Sequence, residues 1–213
     1  MSIVVVERAS LGEAWLAVSR EILERGDIAS YDGQTTRELA LLTLVVEAPD
    51  SADALIAELG DADWLAWMRR NFGSPDDVAE LGGAKSYARR LYDYAGAGRD
   101  QVAWVVERLR SDPETRSATI TTFQPLTDTT YVPCISLLDF WLTGGRLELV
   151  VYAHSLDFGK KAYGNLVELA RLLEHVAGEV GVPRGRLVIH AKSAHVYEPE
   201  FGLMAGLTGR GVG

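Results

Sequence analysis

The sequence contains one cysteine, Cys134, which directly follows Pro133 at the start of an apolar run. A lone thiol in a strand is usually a small core residue, and less often a nucleophile whose partners lie far away in the sequence. Polar residues that could be such partners follow on later elements. They are His154, Ser155, Asp157, Asn165, His195 and Tyr197. If those elements pack together, a thiol, an amide, imidazoles and hydroxyl groups meet in one candidate cleft.

The elements that would position these residues are a hairpin, a helix and a last strand. Cys134 lies near the start of the first hairpin strand, and Gly144-Gly145 is a strong turn signal before the second. Asn165 lies near the start of a long predicted helix. His195 and Tyr197 end the last strand on one face, because they are two residues apart. The strands predicted in this half are residues 117–124, 131–143, 146–155 and 184–198.

The first half of the chain predicts an N-terminal strand, several helices and one buried strand. Ser10 and Glu13 form a Ser-x-x-Glu capping box in front of a helix that Gly26 ends. Residues 29–38 are predicted to be a polar turn or loop. The other predicted elements are a strand over 39–49, helices over 51–59, 61–72 and 99–113 with caps at Ser51 and at Asp61 or Asp63, and a surface loop over 74–85.

Composition and charge exclude several classes of protein. The chain has 213 residues and a formal net charge of −9, so a basic groove for a long nucleic acid is not expected. A single cysteine excludes an internal disulfide and a cysteine-based zinc site, which indicates the reducing cytoplasm. No other metal site is indicated. The N-terminal run predicts a strand rather than a signal peptide, and no apolar run is long enough to span a membrane.

The spacing of the polar residues resembles that of the thymidylate synthase family, which includes the pyrimidine-nucleotide hydroxymethylases. Its members carry a Pro-Cys nucleophile, an Arg-Ser-x-Asp segment, an Asn eight residues beyond that Asp, and a His-x-Tyr thirty residues beyond the Asn. Here Pro133-Cys134, Ser155-x-Asp157, Asn165 and His195-x-Tyr197 fall at those spacings. The resemblance covers about residues 84–200. Residues 1–83 are divergent, and 201–213 are predicted to be a flexible tail or a small closing flap.

The resemblance implies roles at the base and the cofactor. Cys134 is the nucleophile that adds to the pyrimidine, with Tyr87 near it. Asn165 binds the O4/N3 edge of the base, and Asn rather than an acid favours uracil. Asp157 holds the pterin of the cofactor. Glu58 is the best candidate for the family's catalytic glutamate, with Asp53 and Glu47 as rivals.

The resemblance also implies a sugar and phosphate end, where this chain departs from the family. His195 and Tyr197 bind the sugar hydroxyl, and Arg116, His154 and Ser155 belong to the phosphate clamp. His154 stands where the family has an Arg, and Ser117 replaces the second member of an Arg-Arg pair. Fewer fixed charges bind a dianion more weakly, so a nucleoside or another heterocycle stays open as the ligand. Arg116 and His154 are also the candidates for stabilising the thiolate.

Each of these residues has a plain structural alternative. Asn165 could cap the helix, and Asp157 could cap the loop before it. His195 and Tyr197 could be an ordinary strand face, and His154 a surface histidine. Trp64 and Trp67, three residues apart, are more typical of core packing than of a ligand platform.

The resemblance implies a single-domain α+β fold, with a mixed sheet packed by helices and a homodimer formed through the sheet face. It also implies 5,10-methylenetetrahydrofolate, or a related reduced pterin, as cofactor. The expected function is a folate-dependent C5 methyl- or hydroxymethyltransferase that acts on a dUMP/UMP- or CMP-like nucleotide through a cysteine adduct. The alternative is a catalytically degenerate homologue that binds a nucleotide, another small ligand or a protein partner, which the lost arginines favour.

Overall fold

The fold is one mixed sheet of eight strands with helices packed against it. The computed structural model describes residues 3–74, 78 and 81–210, so part of the predicted loop over 74–85 and the end of the predicted tail lie outside the described residues. The strands are β1 Val4–Arg8, β2 Asp27–Tyr31, β3 Gln34–Val46, β4 Ala118–Thr121, β5 Ile135–Thr143, β6 Arg146–Ala153, β7 Leu156–Asp157 and β8 Arg184–Tyr197.

Six strands form the path β1-β3-β8-β6-β5-β4, while β2 extends β3 and β7 extends β8. The β1/β3, β6/β8 and β7/β8 pairs are parallel and the others antiparallel. The prediction of a mixed sheet in a single α+β domain is therefore confirmed. The Gly144-Gly145 hairpin is confirmed too, since both residues have the positive φ that a tight turn requires.

The helices bury the apolar side of the sheet. α1 and α6 pack on the central strands, and both hold fully buried side chains such as Trp15 and Leu169. The capping box of Ser10 and Glu13 is present at the start of α1. The helices are α1 Leu11–Arg25, α2 Ala54–Leu59, α3 Ala62–Gly73, α4 Tyr87–Tyr92, α5 Gln101–Ser111, α6 Ala162–Val180 and α7 Phe201–Arg210.

Two predictions about the first half are wrong in detail. Residues 29–38, expected to be a polar turn or loop, contain a turn only at Asp32-Gly33, with φ values of 52° and 75°, and otherwise belong to the strands of the β2/β3 hairpin. Asp-Gly favours this turn, while the polar flanking residues give no apolar alternation that would indicate strands. Asp53 rather than Ser51 caps α2, with its carboxylate accepting from the amides of Leu55 and Ile56.

The predicted flexible tail is instead a helix over its described part. α7 packs against α1, with Met204 and Thr208 buried. The side chain of Arg20 on α1 donates to the carbonyl of Thr208. Glycines at 202, 206 and 209 lower helix propensity, but tertiary packing overrides them.

The opposite side of the sheet is not covered by any described helix and exposes aromatic and aliphatic residues. Leu137, Trp141 and Tyr152 on β5 and β6 are 38%, 48% and 44% exposed. Leu137 pairs directly with Tyr152 across the two strands. Among the described residues, no helix is long and apolar enough to cross a membrane.

Candidate active site

Cys134 is the last residue before β5, which begins at Ile135. Its carbonyl oxygen accepts a hydrogen bond from the amide of His154 at 2.9 Å, which ties it to the end of β6. The thiol is free and partly buried. Burial raises its pKa, the positive charge of Lys161 lowers it, and the negative charge of Asp157 raises it. Burial outweighs the effect of Lys161, so the pKa of the thiol lies above its usual value.

Tyr87 is the first residue of α4, a short helix that was not predicted, and it reaches the cysteine loop. Its hydroxyl oxygen accepts a hydrogen bond from the amide of Ile135, the residue after Cys134, at 3.0 Å. Its ring stacks on Phe72 with centroids 4.4 Å apart. Burial raises the pKa of Tyr87 well above its usual value, and the negative charge of a Cys134 thiolate raises it further. Tyr87 is thus a neutral hydroxyl bound to the residue after Cys134, and its catalytic role stays a prediction.

Asp157 lies in β7, which runs parallel to β8 and pairs Asp157 with His195. One carboxylate oxygen accepts from the amides of Gly159 and Lys160 at 3.0 and 3.2 Å, so Asp157 does cap the loop before α6. Burial raises its pKa, and the positive charge of Lys161 lowers it. The capping role and a ligand role are compatible, because the bonds to the loop use a single oxygen.

His195 and Tyr197 lie next to each other at the end of β8. Their rings meet edge to face with centroids 5.0 Å apart. His195 is 7% exposed, and burial lowers its pKa to about 4, so the imidazole is neutral near pH 7. Tyr197 is partly buried, and its pKa is raised by burial and then by Asp157. The pair is not an ordinary exposed strand face.

Asn165 is the fourth residue of α6, so it is not the helix cap. Its own amide already donates to the carbonyl of Lys161 at 3.0 Å, as in the helix interior. The residue is 6% exposed, and its side-chain oxygen is buried without a hydrogen-bond partner among the described residues. A buried amide oxygen left unpaired is costly, and a ligand donor would satisfy it.

Lys161 was not singled out in the sequence, yet its backbone links two of the candidate residues, since its amide donates to the carbonyl of Asp157 and its carbonyl accepts from the amide of Asn165. It directly precedes α6, and its ammonium nitrogen lies 5.5 and 5.8 Å from the ring centroids of Trp64 and Trp67. These three residues, with Asp63, line a cavity of about 380 Å³. The signal that could have found Lys161 is its place one helical turn before Asn165.

Trp64 and Trp67 only partly follow the expectation of core packing. They are half-buried on α3 and contact the core, with ring centroids 5.6 Å apart in an edge-to-face arrangement. They also form a wall of the cavity beside Lys161. The ring nitrogen of Trp67 is buried without a hydrogen-bond partner among the residues described.

The predicted phosphate clamp is not assembled within one chain. His154 and Ser155 are partly exposed at the end of β6, and burial and the nearby Lys192 lower the pKa of His154. Arg116 is exposed just before β4, whose first residue Ala118 pairs with Phe140. Phe140 is six residues beyond Cys134, or about 20 Å along the strand. Arg116 therefore lies far from this chain's Cys134, whereas His154 is next to the cysteine backbone, and the roles expected of both stay predictions.

The carboxylates considered for the catalytic glutamate differ in surroundings. Asp53 is engaged as the α2 cap and also accepts from the amide of Gly12 at 3.0 Å. Glu47 is exposed, 3.9 Å from Arg186. Glu58 is exposed on α2. Asp53 and Glu47 thus have structural partners, and Glu58 stays the candidate.

Comparison with known proteins identifies the family. The sequence model of the family described as thymidylate synthase matches residues 36–210. The chain therefore belongs to the thymidylate synthase family, and its class is that of a thymidylate synthase-like transferase.

Individual relatives match over nearly the whole chain. Proteins named "Putative thymidylate synthase" from Methanothermobacter marburgensis and Methanosarcina acetivorans are 33% and 29% identical. The alignments cover 90% and 95% of this chain and 92% and 94% of those proteins. A protein of Bacillus phage SP01 named deoxyuridylate hydroxymethyltransferase is 37% identical over 89% of this chain and 58% of its own length.

Proposed function

We propose that this protein is a folate-dependent C5 methyl- or hydroxymethyltransferase that acts on a pyrimidine nucleotide through a covalent adduct on Cys134. The observation that carries the proposal is the unpaired buried side-chain oxygen of Asn165, which lies at the family's spacing from the free thiol of Cys134. The names of the relatives support both outcomes, since one refers to a synthase and another to a hydroxymethyltransferase.

The base would be recognised by Asn165 and attacked by Cys134. The Asn165 amide can donate to O4 and accept from N3–H, which suits uracil. The thiolate sulfur bonds to C6 as the C5–C6 π bond breaks, and the electron pair moves to C5 and O4. After C5 has taken up the one-carbon unit, the C5 proton would be lost and the bond from the one-carbon unit to the cofactor nitrogen would break, with that nitrogen taking up a proton. A hydride from the cofactor would then give the methyl product, or a water the hydroxymethyl product, as the thiolate leaves C6 and the C5–C6 double bond is restored.

The sugar end of the substrate would meet neutral hydrogen-bonding groups. His195 is uncharged near pH 7 because burial lowers its pKa to about 4, and it lies beside the hydroxyl of Tyr197. Together they can donate to and accept from a sugar hydroxyl. Ser155 and His154 would lie towards the 5′ end of the ligand.

The residues of the cavity fit a reduced pterin cofactor. Trp64 and Trp67 give an aromatic wall, and the buried ring nitrogen of Trp67 lacks an acceptor among the described residues. Asp157 would hold the pterin through the carboxylate oxygen that does not cap the loop. When bound, 5,10-methylenetetrahydrofolate supplies the electrophilic one-carbon unit. Glu58 is proposed as the glutamate that organises proton transfer.

A homodimer through the uncovered sheet face would complete the site. Trp141 and Tyr152 are large exposed aromatic residues on neighbouring strands of that face. Arg116 precedes β4, whose first residue pairs with Phe140 about 20 Å along the strand from Cys134, and this distance suits a contact of Arg116 with the site of the second copy. Light scattering should give the mass of a dimer for the wild type and of a monomer for Trp141→Glu.

The alternative function is nucleotide binding without catalysis. For either function we propose that the protein is cytoplasmic. It is favoured by the phosphate end, where His154 replaces an arginine and is half-exposed. Incubation with dUMP, UMP, dCMP and CMP, each with methylenetetrahydrofolate, followed by mass spectrometry of the nucleotides, separates the two. A C5-methyl or C5-hydroxymethyl product with the wild type, absent with Cys134→Ser, supports the enzyme. Nucleotide binding without any product supports the alternative.

A further inference from the structure

Arg90 on α4 is a fully buried arginine, with 1% of its surface exposed. Both terminal nitrogens of its guanidinium donate to the buried carboxylate of Asp128, at 2.6 and 3.0 Å. Its other side-chain bonds go to carbonyl oxygens, from Nη1 to Thr122 at 2.7 Å and from Nε to Lys85 at 3.1 Å. Burying a guanidinium is costly unless its donors are paired, and here several directional bonds fix the side chain at once.

Asp128 lies in the segment that leads from β4 to the cysteine, six residues before Cys134. The carboxylate oxygen nearest to Arg90 also accepts from the amide of Gln124 at 2.8 Å. The carbonyl of Gln124 in turn accepts from the amides of Thr127 and Asp128, at 2.9 and 2.8 Å. The turn over residues 124–128 is therefore closed around the carboxylate that Arg90 holds.

A second route joins Arg90 to Ile135, the first residue of β5. Thr122, whose carbonyl accepts from Arg90, donates through its hydroxyl to the carbonyl of Ile135. The amide of Thr122 donates to the carbonyl of Ser136 at 3.0 Å. The amide of Ile135 donates to the hydroxyl of Tyr87, which lies one helical turn before Arg90 on α4. The helix thus holds the start of β5 by two paths, one through Tyr87 and one through Arg90.

A second buried carboxylate shows how unusual this pair is. Glu168 on α6 bonds to Arg69 at 3.0 Å, but the side chain of that arginine is 55% exposed to solvent. Among the ion pairs of the described residues, Arg90 and Asp128 form the one in which both side chains are buried. Such a pair adds little stability compared with apolar residues of the same volume, whereas its bonds are directional.

We propose that Arg90 is a positioning residue for Cys134, because through Asp128 and Thr122 it holds the chain on both sides of the thiol in one arrangement relative to Tyr87. The inference rests on the proposed function for its purpose, since an addition reaction requires the nucleophile to keep a fixed geometry. Its physical content, a constraint on the segment that carries the thiol, is independent of any substrate.

The test follows the reactivity of Cys134, the single thiol of the chain. Alkylation by iodoacetamide is measured from pH 6 to pH 10 by intact-protein mass spectrometry, without nucleotide or cofactor. The variants are Asp128→Asn, which keeps the shape of the side chain, Arg90→Lys, which keeps the charge, and Thr122→Val, which removes only the hydroxyl bond to β5. Ile22→Ala makes a cavity at a fully buried position on α1 and is the control for a loss of stability elsewhere. Circular dichroism and urea unfolding establish that each variant is folded and how stable it is.

A segment released from Arg90 should expose the thiol, whose pKa is raised by burial in the wild type. We expect Asp128→Asn and Arg90→Lys to be alkylated about three- to tenfold faster than the wild type at pH 8, with the pH profile moved downward towards that of a free thiol. Thr122→Val should change the rate in the same direction by about twofold. Ile22→Ala should keep the wild-type profile.

Wild-type profiles in folded Asp128→Asn and Arg90→Lys would overturn the proposal, and so would an equal shift in Ile22→Ala. If neither substitution of the ion pair gives a folded protein, Thr122→Val decides, and a wild-type rate and profile there would count against the proposal. Failure of the proposed function looks different, since no product then forms from any pyrimidine nucleotide while the differences in alkylation remain.

Discussion

The two ends of the candidate site differ in how firmly the fold holds them. At the base end, Asn165 and His195 are 6% and 7% exposed. At the phosphate end, His154 and Ser155 are half-exposed, and Arg116 lies on another part of the surface. The two histidines show the contrast, since burial lowers the pKa of His195 to about 4 and that of His154 to a smaller extent.

This difference in burial indicates which part of a nucleotide the proposed site would recognise. A base and a sugar hydroxyl meet groups that are buried and fixed before binding, which reduces the entropy lost on association. A 5′-phosphate would meet an imidazole that is mostly neutral at pH 7. If the proposed function holds, recognition in a single chain would therefore be concentrated on the heterocycle, and charge at the 5′ end would contribute less.

The largest expected effect is the loss of stability when His195, at the buried base end, is protonated. The pKa of His195 is about 4 in the folded protein and about 6.5 in the unfolded chain. Between these two pH values the unfolded chain therefore binds more protons than the folded protein. The free energy of unfolding falls as the pH is lowered from about 6.5 to about 4. Between pH 7 and pH 4, the free energy of unfolding measured with urea should fall in the wild type by up to about 3 kcal/mol more than it falls in His195→Gln. His190→Gln, at an exposed position, is the control and should keep the wild-type loss. Equal losses in His195→Gln and the wild type would mean that His195 is not held neutral.

The next effect concerns the choice of base. Asn165→Asp replaces a group that can donate to O4 with one that accepts from the amine of cytosine. Use of the uracil nucleotide should fall, and use of the cytosine nucleotide rise, with their ratio of kcat/KM changing by about 10- to 100-fold. Competition between the two substrates in one reaction measures this ratio directly. An unchanged ratio would leave Asn165 with a packing role only.

The smallest expected effect is a change in ligand affinity when His154, at the exposed phosphate end, is replaced. His154→Arg restores a permanent charge and should tighten a 5′-phosphorylated ligand by about 1–2 kcal/mol. In the wild type, affinity due to His154 should fade as pH rises through its lowered pKa, whereas the arginine variant should stay flat. Calorimetry compares the nucleotide with its nucleoside in both proteins at each pH. If the nucleoside binds as well as the nucleotide in both, no phosphate lies beside residue 154.

Much of the base end could be predicted from the sequence because the spacing of its residues resembles that of a known family. Asp157 pairs with His195 across β7 and β8, and the intervals to Asn165 are fixed by one turn and one helix. The sheet and the central helices followed from apolar patterns, and the start of α1 also from its capping box. These features are local, or repeat with a regular period, so residue types alone indicate them.

The remainder depends on contacts between distant segments. Lys161 acquires its neighbours only when α3 brings Trp64 and Trp67 against the start of α6. α7 forms despite its glycines because α1 offers a packing surface. Arg116 could not be placed from spacing, since the pairing of β4 with β5 sets its distance from the cysteine.

The most direct test of the account is covalent trapping on Cys134. A 5-fluoropyrimidine nucleotide cannot lose fluorine as a proton is lost from C5, so the C6 adduct should accumulate in the presence of methylenetetrahydrofolate. Intact-protein mass spectrometry should show one adduct per wild-type chain and none on Cys134→Ser. Unmodified wild-type protein with both the uracil and the cytosine analogues, under conditions where calorimetry shows that the nucleotide is bound, would contradict the assignment of Cys134 as the nucleophile.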